Sequence, residues 1–228
     1  GAEIAPDFAS MIAKVIARGA SREQAAARLR RALDELEVIV EDGIILSNGN
    51  FHVPALALAF DAAAIGLSQV ANVTTARAEK LMTERLSDLP GTLSPRGTTR
   101  AGMAPLLKTA QALAIEIGHL ANPVATDQRS SADGVEDDTS NAPQAVAKFE
   151  QALDRFRLLV GLEFVIAAQA VEMAAPQRLG RATAIAQQAI REIVAPLDED
   201  RGFGAAVEAV AALIADDRFQ RRLDAALA

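Results

Sequence analysis

The stretch Leu46-Ser-Asn-Gly-Asn-Phe-His52 is followed at once by a long alanine-rich segment, and this junction decides the fold. Pro54 suits the first turn of a helix, where its missing N–H would have no partner inside the helix. The segment then contains no further proline until Leu89-Pro90-Gly91 ends it. We therefore predict a long helix from about Pro54 to Leu86.

The composition of the 228-residue chain also favours helices. Half of the residues are hydrophobic and only 4% are aromatic. Alanine, the best helix former, is abundant, whereas the branched and aromatic residues that favour strands are few. The net charge of -7 provides no basic surface, so we expect no nucleic-acid partner. Without cysteine, disulfides, thiolate metal sites and a cysteine nucleophile are excluded.

The sequence predicts a cytoplasmic protein with no membrane association. Its most apolar run, Val53 to Leu67, is interrupted by Asp61 and is shorter than the roughly 20 residues that a membrane-spanning helix needs. The N-terminus has no basic region followed by an apolar core, so no signal peptide is expected.

Two domains are expected, a small element at residues 1–45 and a helical domain at residues 46–228. Ser10 to Arg18 has branched residues typical of a short strand, and Ser21 with Gln24 forms a capping-box pattern that opens a helix. The segment from Val38 to Leu46 is a candidate hairpin, with Asp-Gly as its turn.

The helical domain is predicted to contain five more helices. Met103 to Leu120 precedes a polar loop, Val124 to Ser140, of the long kind that is often functional or disordered. In the central helix, apolar residues recur at three- and four-residue spacing, which predicts a buried stripe. The stripe comprises Phe149, Leu153, Phe156, Val160, Phe164, Ala167 and Val171. Three shorter helices are expected near 181–194, 204–215 and 217–227.

Few side chains are candidates for chemistry. Glu136, Asp137 and Asp138 form a carboxylate cluster in the polar loop, which is typical of a solvated loop capping the next helix, and the spacing does not match an EF-hand. Glu163 lies in the most apolar part of the central helix, so an ion pair with an arginine is expected. The two histidines, His52 and His119, favour structural roles, and no metal site is predicted.

The segment around Asn50-Phe51-His52 and the block Ala132-Asp-Gly-Val-Glu-Asp-Asp-Thr-Ser-Asn-Ala-Pro143 together resemble the aromatic amino acid ammonia-lyases, the histidine and phenylalanine lyase family. The resemblance runs from about Val40 to the C-terminus. It includes the break at Leu89-Pro90-Gly91 and the tail around Pro196-Leu-Asp-Glu-Asp200.

This resemblance implies a long-helix bundle of the ammonia-lyase type that assembles as a homo-oligomer, with each active site built from several subunits. Asn50, Phe51 and His52 would line the pocket of an amino acid substrate. Glu136 would be catalytic, holding the departing amine beside the cofactor. A desolvated carboxylate in that position would have a raised pKa.

The chain departs from the family pattern in the groups that carry the chemistry. It contains no Ala-Ser-Gly tripeptide, from which the family forms its methylidene-imidazolone cofactor, and no tyrosine, which the family uses as its base. No cofactor is therefore expected from this chain alone. Residues 3–40 weakly resemble instead the C-terminal part of biotin carboxylase, without its ATP-binding loop.

Two functional hypotheses follow, and whether the chain is an enzyme stays open between them. In the first, the chain is the C-terminal part of an aromatic amino acid ammonia-lyase or aminomutase, and a complementary N-terminal lyase chain supplies the cofactor. In the second, it is a non-catalytic helical scaffold or a lyase fragment.

Overall fold

The structure is a computed structural model. It describes residues 53–227 except 98, 128, 130–138 and 177, together with residues 21, 24, 26, 39–41 and 44–46. The chain divides into two compact units, Gly1–Ala57 with Ala125–Ala142 and Leu58–Val124 with Pro143–Ala228. The expected boundary between two domains at residue 45 stays a prediction.

The described residues contain two short strands and seven helices, which confirms the predicted helical bundle with a small N-terminal element. The strands are β1 (Ile39–Glu41) and β2 (Ile44–Leu46), and the helices are α1 (Pro54–Met82), α2 (Glu84–Ser87), α3 (Ala104–Leu120), α4 (Ala142–Ala174), α5 (Arg181–Ile193), α6 (Gly204–Ile214) and α7 (Asp217–Leu227). Helix α1 ends before the predicted Leu86, because Thr83 adopts an extended conformation with φ -99° and ψ 107°.

The predicted hairpin and helix cap are both present near the N-terminus. Strands β1 and β2 pair antiparallel with Glu41 opposite Ile44, which leaves two residues for the turn. The hydroxyl of Ser21 accepts a hydrogen bond from the N–H of Gln24 at 3.2 Å, and Gln24 is helical. The strand predicted at residues 10–18 lies outside the described residues.

The second unit is held together by a core to which α1, α3, α4, α5 and α6 contribute. Helix α1 contributes Ala64, Ala71 and Ala78, which are at most 3% exposed and follow one another at seven-residue spacing. This spacing keeps a row of small side chains on one face of the helix, as in coiled coils. Because the side chains at a helix contact set the distance between the axes, alanine allows neighbouring helices to approach closely.

The prediction for the buried face of α4 was partly wrong. All seven residues of the predicted stripe are only half-buried. A different row of residues at seven-residue spacing is buried: Ala145, Ala152, Leu159 and Ile166. The expectation that the segment from Leu158 to Val171 is surrounded is largely met, since Leu162, Val165 and Gln169 are also buried.

Gly161 allows α4 and α6 to approach each other closely. A Cβ atom at this position would lie 2.9 Å from the backbone nitrogen of Ala211 and 2.9 Å from the carbonyl oxygen of Val207. Both atoms belong to the backbone of α6, so neither can move without shifting that helix. The glycine is therefore required by the packing of the two helices.

We expect Gly161→Ala to destabilise the protein by about 1–3 kcal/mol, because the added methyl group forces a shift in a packed core. Urea denaturation measures this loss. Gly118→Ala in α3 is the matched control, since a Cβ there meets no atom within 4 Å. The control should stabilise the helix by roughly 0.5–1 kcal/mol. Equal effects of the two substitutions would contradict the packing argument.

Candidate functional site

The four predicted site residues, Asn50, Phe51, His52 and Glu136, lie outside the described residues, as do Asp137 and Asp138. Their roles stay predictions. The structure describes residues near both site segments in the chain. Both segments fall within the first unit, which combines residues 1–57 with residues 125–142.

The neck of the polar loop is closed by hydrogen bonds within the first unit. The side-chain amide of Asn141 donates to the carbonyl oxygen of Asp127 at 2.8 Å, and the hydroxyl of Thr139 donates to the carbonyl oxygen of Arg129 at 2.9 Å. Arg129 also forms an ion pair with the Asp127 carboxylate at 3.2 Å. The residues on either side of the segment 130–138 are thereby held next to each other.

In the second unit, the N-terminal parts of α1 and α4 are fixed to the chain that follows α3. The carboxylate of Asp61, 6% exposed, accepts a hydrogen bond from the N–H of Val124 at 2.9 Å. The rings of Phe60 and Phe149 form an edge-to-face pair with centroids 5.5 Å apart. The ammonium of Lys148, also on α4, donates to the carbonyl oxygen of Asn122.

Asp61 has a structural role that the sequence analysis missed. It is the only charged residue between Pro54 and Ala76. A single charge inside an apolar run signals a buried polar contact, because burying a carboxylate without a partner is costly. That signal was present in the sequence, but the residue that would pair with Asp61 could not be read from it.

The predicted ion pair of Glu163 is confirmed. Arg77 on α1 donates from Nε to Oε1 of Glu163 at 2.6 Å and from a terminal nitrogen to Oε2 at 2.8 Å. The same guanidinium donates to the hydroxyl of Thr74 at 3.2 Å. The hydrogen bond with Glu163 raises the pKa of Arg77 above its usual value. This two-point contact ties α1 to α4.

The ion pair lies at a groove of about 540 Å³ in the second unit. The end of α1, α2 and the residue Leu89 form one wall, and the C-terminal half of α4 forms the other. Apolar side chains dominate the lining, among them Leu81, Leu86, Ala167 and Val171. The groove is therefore a mainly apolar surface with charged residues on both walls, Arg77 and Lys80 on α1 and Glu163 on α4.

Gln169 holds the segment that follows α5. It is 2% exposed, and its carbonyl oxygen accepts hydrogen bonds from the N–H of Leu197 at 3.0 Å and from Arg191 at 3.3 Å. Arg191 also contacts Glu172 at 3.3 Å. Burial lowers the pKa of Arg191, and the charge of Glu172 acts in the opposite direction. These contacts are structural.

Asp200 joins two of the segments that the resemblance singled out. Its carboxylate accepts hydrogen bonds from the backbone N–H groups of Ala101 at 2.9 Å and Gly102 at 3.0 Å. Gly102 has a φ of 60°, and a Cβ there would lie 2.6 Å from the carbonyl oxygen of Thr92. The loop after Leu89-Pro90-Gly91 and the tail near Asp200 are thus bound together.

Among the residues that the structure describes, no group of three or more His, Cys, Asp or Glu side chains could hold a metal ion. His119 lies exposed in the last turn of α3.

A family model described as aromatic amino acid lyase matches residues 21–192. The chain belongs to the aromatic amino acid lyase family. The match begins well before Val40, so it also covers about half of the segment at residues 3–40 that resembles biotin carboxylase. It ends before the tail at residues 196–200.

Individual relatives agree with the family assignment. The histidine ammonia-lyase of Symbiobacterium thermophilum is 37% identical over 174 residues, which are 76% of this chain and 34% of that protein. The crystal structure of histidine ammonia-lyase from Trypanosoma cruzi matches 80% of this chain and 36% of its own, with a TM-score of 0.75 and 25% identity.

An ergothionase from Treponema denticola, solved with desmethyl-ergothioneine sulfonic acid, matches 90% of this chain and 39% of its own, with a TM-score of 0.69 and 27% identity. The chain therefore spans about a third of the length of the relatives it matches.

We expect Asp61→Ala to destabilise the protein by about 1–3 kcal/mol, because a buried N–H donor loses its acceptor. Thermal or urea unfolding measures the change. Asp154→Ala is the matched control, since Asp154 is also on a long helix but its side chain is 61% exposed. The control should stay within about 0.5 kcal/mol of the parent protein. A parent-like stability of the Asp61 variant would refute the role assigned to this carboxylate.

Proposed function

We propose that this chain is the C-terminal part of an ammonia-lyase and contributes to an active site that another chain completes. Asn50, Phe51 and His52 line the substrate pocket in this proposal, and Glu136 holds the departing amine. The family match over residues 21–192 carries it, because the match includes both site segments.

The proposed substrate is histidine, and the proposed reaction is elimination of ammonia. The support is that relatives between 31% and 37% identical are histidine ammonia-lyases. The Cα–N bond breaks with its electron pair on nitrogen, the electrons of the Cβ–H bond form the Cα–Cβ double bond, and a base on the completing chain takes up the β-proton. Glu136 assists by binding the leaving amine. The amine accepts a proton as it departs. The cytoplasm is the proposed location.

The family cofactor does not fit this chain by itself. A group formed from Ala-Ser-Gly has no source in a sequence that lacks this tripeptide. In this proposal, the electrophile comes from the second chain. The residues of the present chain bind and orient the substrate.

We also propose that the chain forms a homo-oligomer through the exposed face of α1. Opposite the buried alanine row, Leu58, Ile65 and Val73 are 58%, 45% and 55% exposed. The only charge between Pro54 and Ala76 belongs to buried Asp61, so this face carries none. The polar residues Gln69 and Asn72 are also exposed on this face but carry no charge. An uncharged helix face with several large exposed apolar side chains indicates a contact with another protein surface.

Helix α1 is also long and apolar enough to cross a membrane, judged by length and composition alone. The buried row of Ala64, Ala71 and Ala78 shows another cause of this composition. One face of the helix is apolar because it lies in the core of the second unit. Contact with a second copy of the chain, as proposed, would account for the apolar residues on the exposed face of α1.

The test of the lyase proposal combines this chain with a separately produced N-terminal part of the Symbiobacterium thermophilum histidine ammonia-lyase, which contains the region outside the match. We expect neither part alone to release ammonia from histidine, and the mixture to do so. Absorbance of the conjugated product and an ammonia assay follow the reaction. A mixture that forms a complex without activity would favour the scaffold hypothesis, which the missing tripeptide and tyrosine also support.

In an active mixture, we expect Glu136→Gln to lower kcat by roughly 10²–10⁴-fold, the usual contribution of an acid or base in proton transfer. Glu150→Gln is the matched control, because Glu150 is an exposed carboxylate on α4. The control should retain the parent rate. Equal rates for both variants would refute a catalytic role of Glu136.

For the oligomer, we expect the double variant Ile65→Glu, Val73→Glu to have a lower native mass than the parent chain, because charges would be buried at the interface. Light scattering after size exclusion measures the mass. Leu227→Glu is the control, since this side chain is apolar and 71% exposed on α7. An unchanged native mass of the double variant would place the interface elsewhere.

A further inference from the structure

We propose that the groove between the end of α1 and the C-terminal half of α4 is the docking site for the part of the lyase sequence that this chain does not contain. This inference rests on the proposed function and names the surface at which the complementary chain binds. The expected occupant is an apolar segment that carries a carboxylate.

The lining of the groove supports an apolar segment. Leu86 is 55% exposed although it lines the groove, so a large apolar side chain faces solvent. Small residues on the opposite wall, Ala167, Ala170 and Ala174, leave room for the side chains of a partner. Burying this surface would stabilise a complex by the hydrophobic effect.

The charges at the groove support a carboxylate on the occupant. Arg77 and Glu163 neutralise each other through their two hydrogen bonds. Lys80, the other charged residue of the lining, forms no ion pair with any residue that the structure describes. The groove therefore has a net positive charge, which a carboxylate on an incoming segment would complement.

The length of the relatives supports the identity of the occupant. The matched region is 34% of one relative and 36% of another, so roughly two thirds of a lyase lies outside it. The exposed face of α1, proposed for a second copy, carries no charge, whereas the mainly apolar groove includes the ammonium of Lys80. The groove is thus suited to a partner other than a second copy of this chain. In the family, that partner corresponds to the lyase region outside the match.

The experiment measures binding of the fluorescently labelled N-terminal part of the Symbiobacterium thermophilum enzyme to the full chain. Leu86→Glu places a charge in the groove, Ala174→Trp fills it, and Lys80→Glu reverses its charge. Ile115→Glu is the matched control, because Ile115 is 61% exposed on α3 and does not line the groove. All four positions are exposed, so thermal unfolding should show folded variants.

We expect Leu86→Glu and Ala174→Trp to raise Kd by roughly tenfold or more, since each opposes burial of the apolar lining. Lys80→Glu should raise Kd less, with an effect that fades as salt is added. The control should bind like the parent chain. Parent-like binding of the two groove variants overturns the proposal. A Leu86→Glu variant that binds the labelled part like the parent chain but has a lower native mass also overturns the proposal. That result would assign the groove to a second copy of this chain.

Activity towards histidine in the same mixtures separates this inference from the proposed function. If the mixtures with the groove variants are as active as the parent mixture, the docking site is refuted and the lyase proposal stands. If the groove variants lose binding and the parent mixture is inactive, the docking site is supported and the lyase proposal is refuted. A parent chain that neither binds nor becomes active overturns both.

Discussion

The close packing of helices through small side chains is the constraint on which the rest of the structure depends. Ala64, Ala71 and Ala78 form a buried row on α1, and Gly161 leaves no room for even a methyl group between α4 and α6. Because backbones at these contacts have little space to shift, larger residues would have to separate the helices. The loops and side chains described above keep their positions only while these helices do.

This packing also explains why α1 has two apolar faces. The buried face is made of alanine, which fills the short distance to neighbouring helices, whereas the exposed face carries larger residues such as Ile65 and Val73. Large apolar side chains that remain partly in contact with water stabilise a single chain less than fully buried ones do. Their presence on a charge-free face is accounted for when that face is buried in an assembly.

The sequence predicted the helices well because their ends are marked by local signals, such as Pro54 at the start of α1. It also predicted an arginine partner for Glu163, since a carboxylate in an apolar helix needs one. The buried face of α4 was harder. The apolar spacing predicts aromatic residues such as Phe156 in the core, but Ala152 is buried instead, because close helix contacts exclude large rings. Local patterns do not reveal how closely two helices approach.

The carboxylates of Asp61 and Asp200 and the amide of Gln169 each accept hydrogen bonds from the backbone N–H of a distant segment. These contacts fix loops at the ends of helices, and none of them depends on the missing tripeptide or on a tyrosine. Such a scaffold can therefore persist whether or not the chain takes part in catalysis.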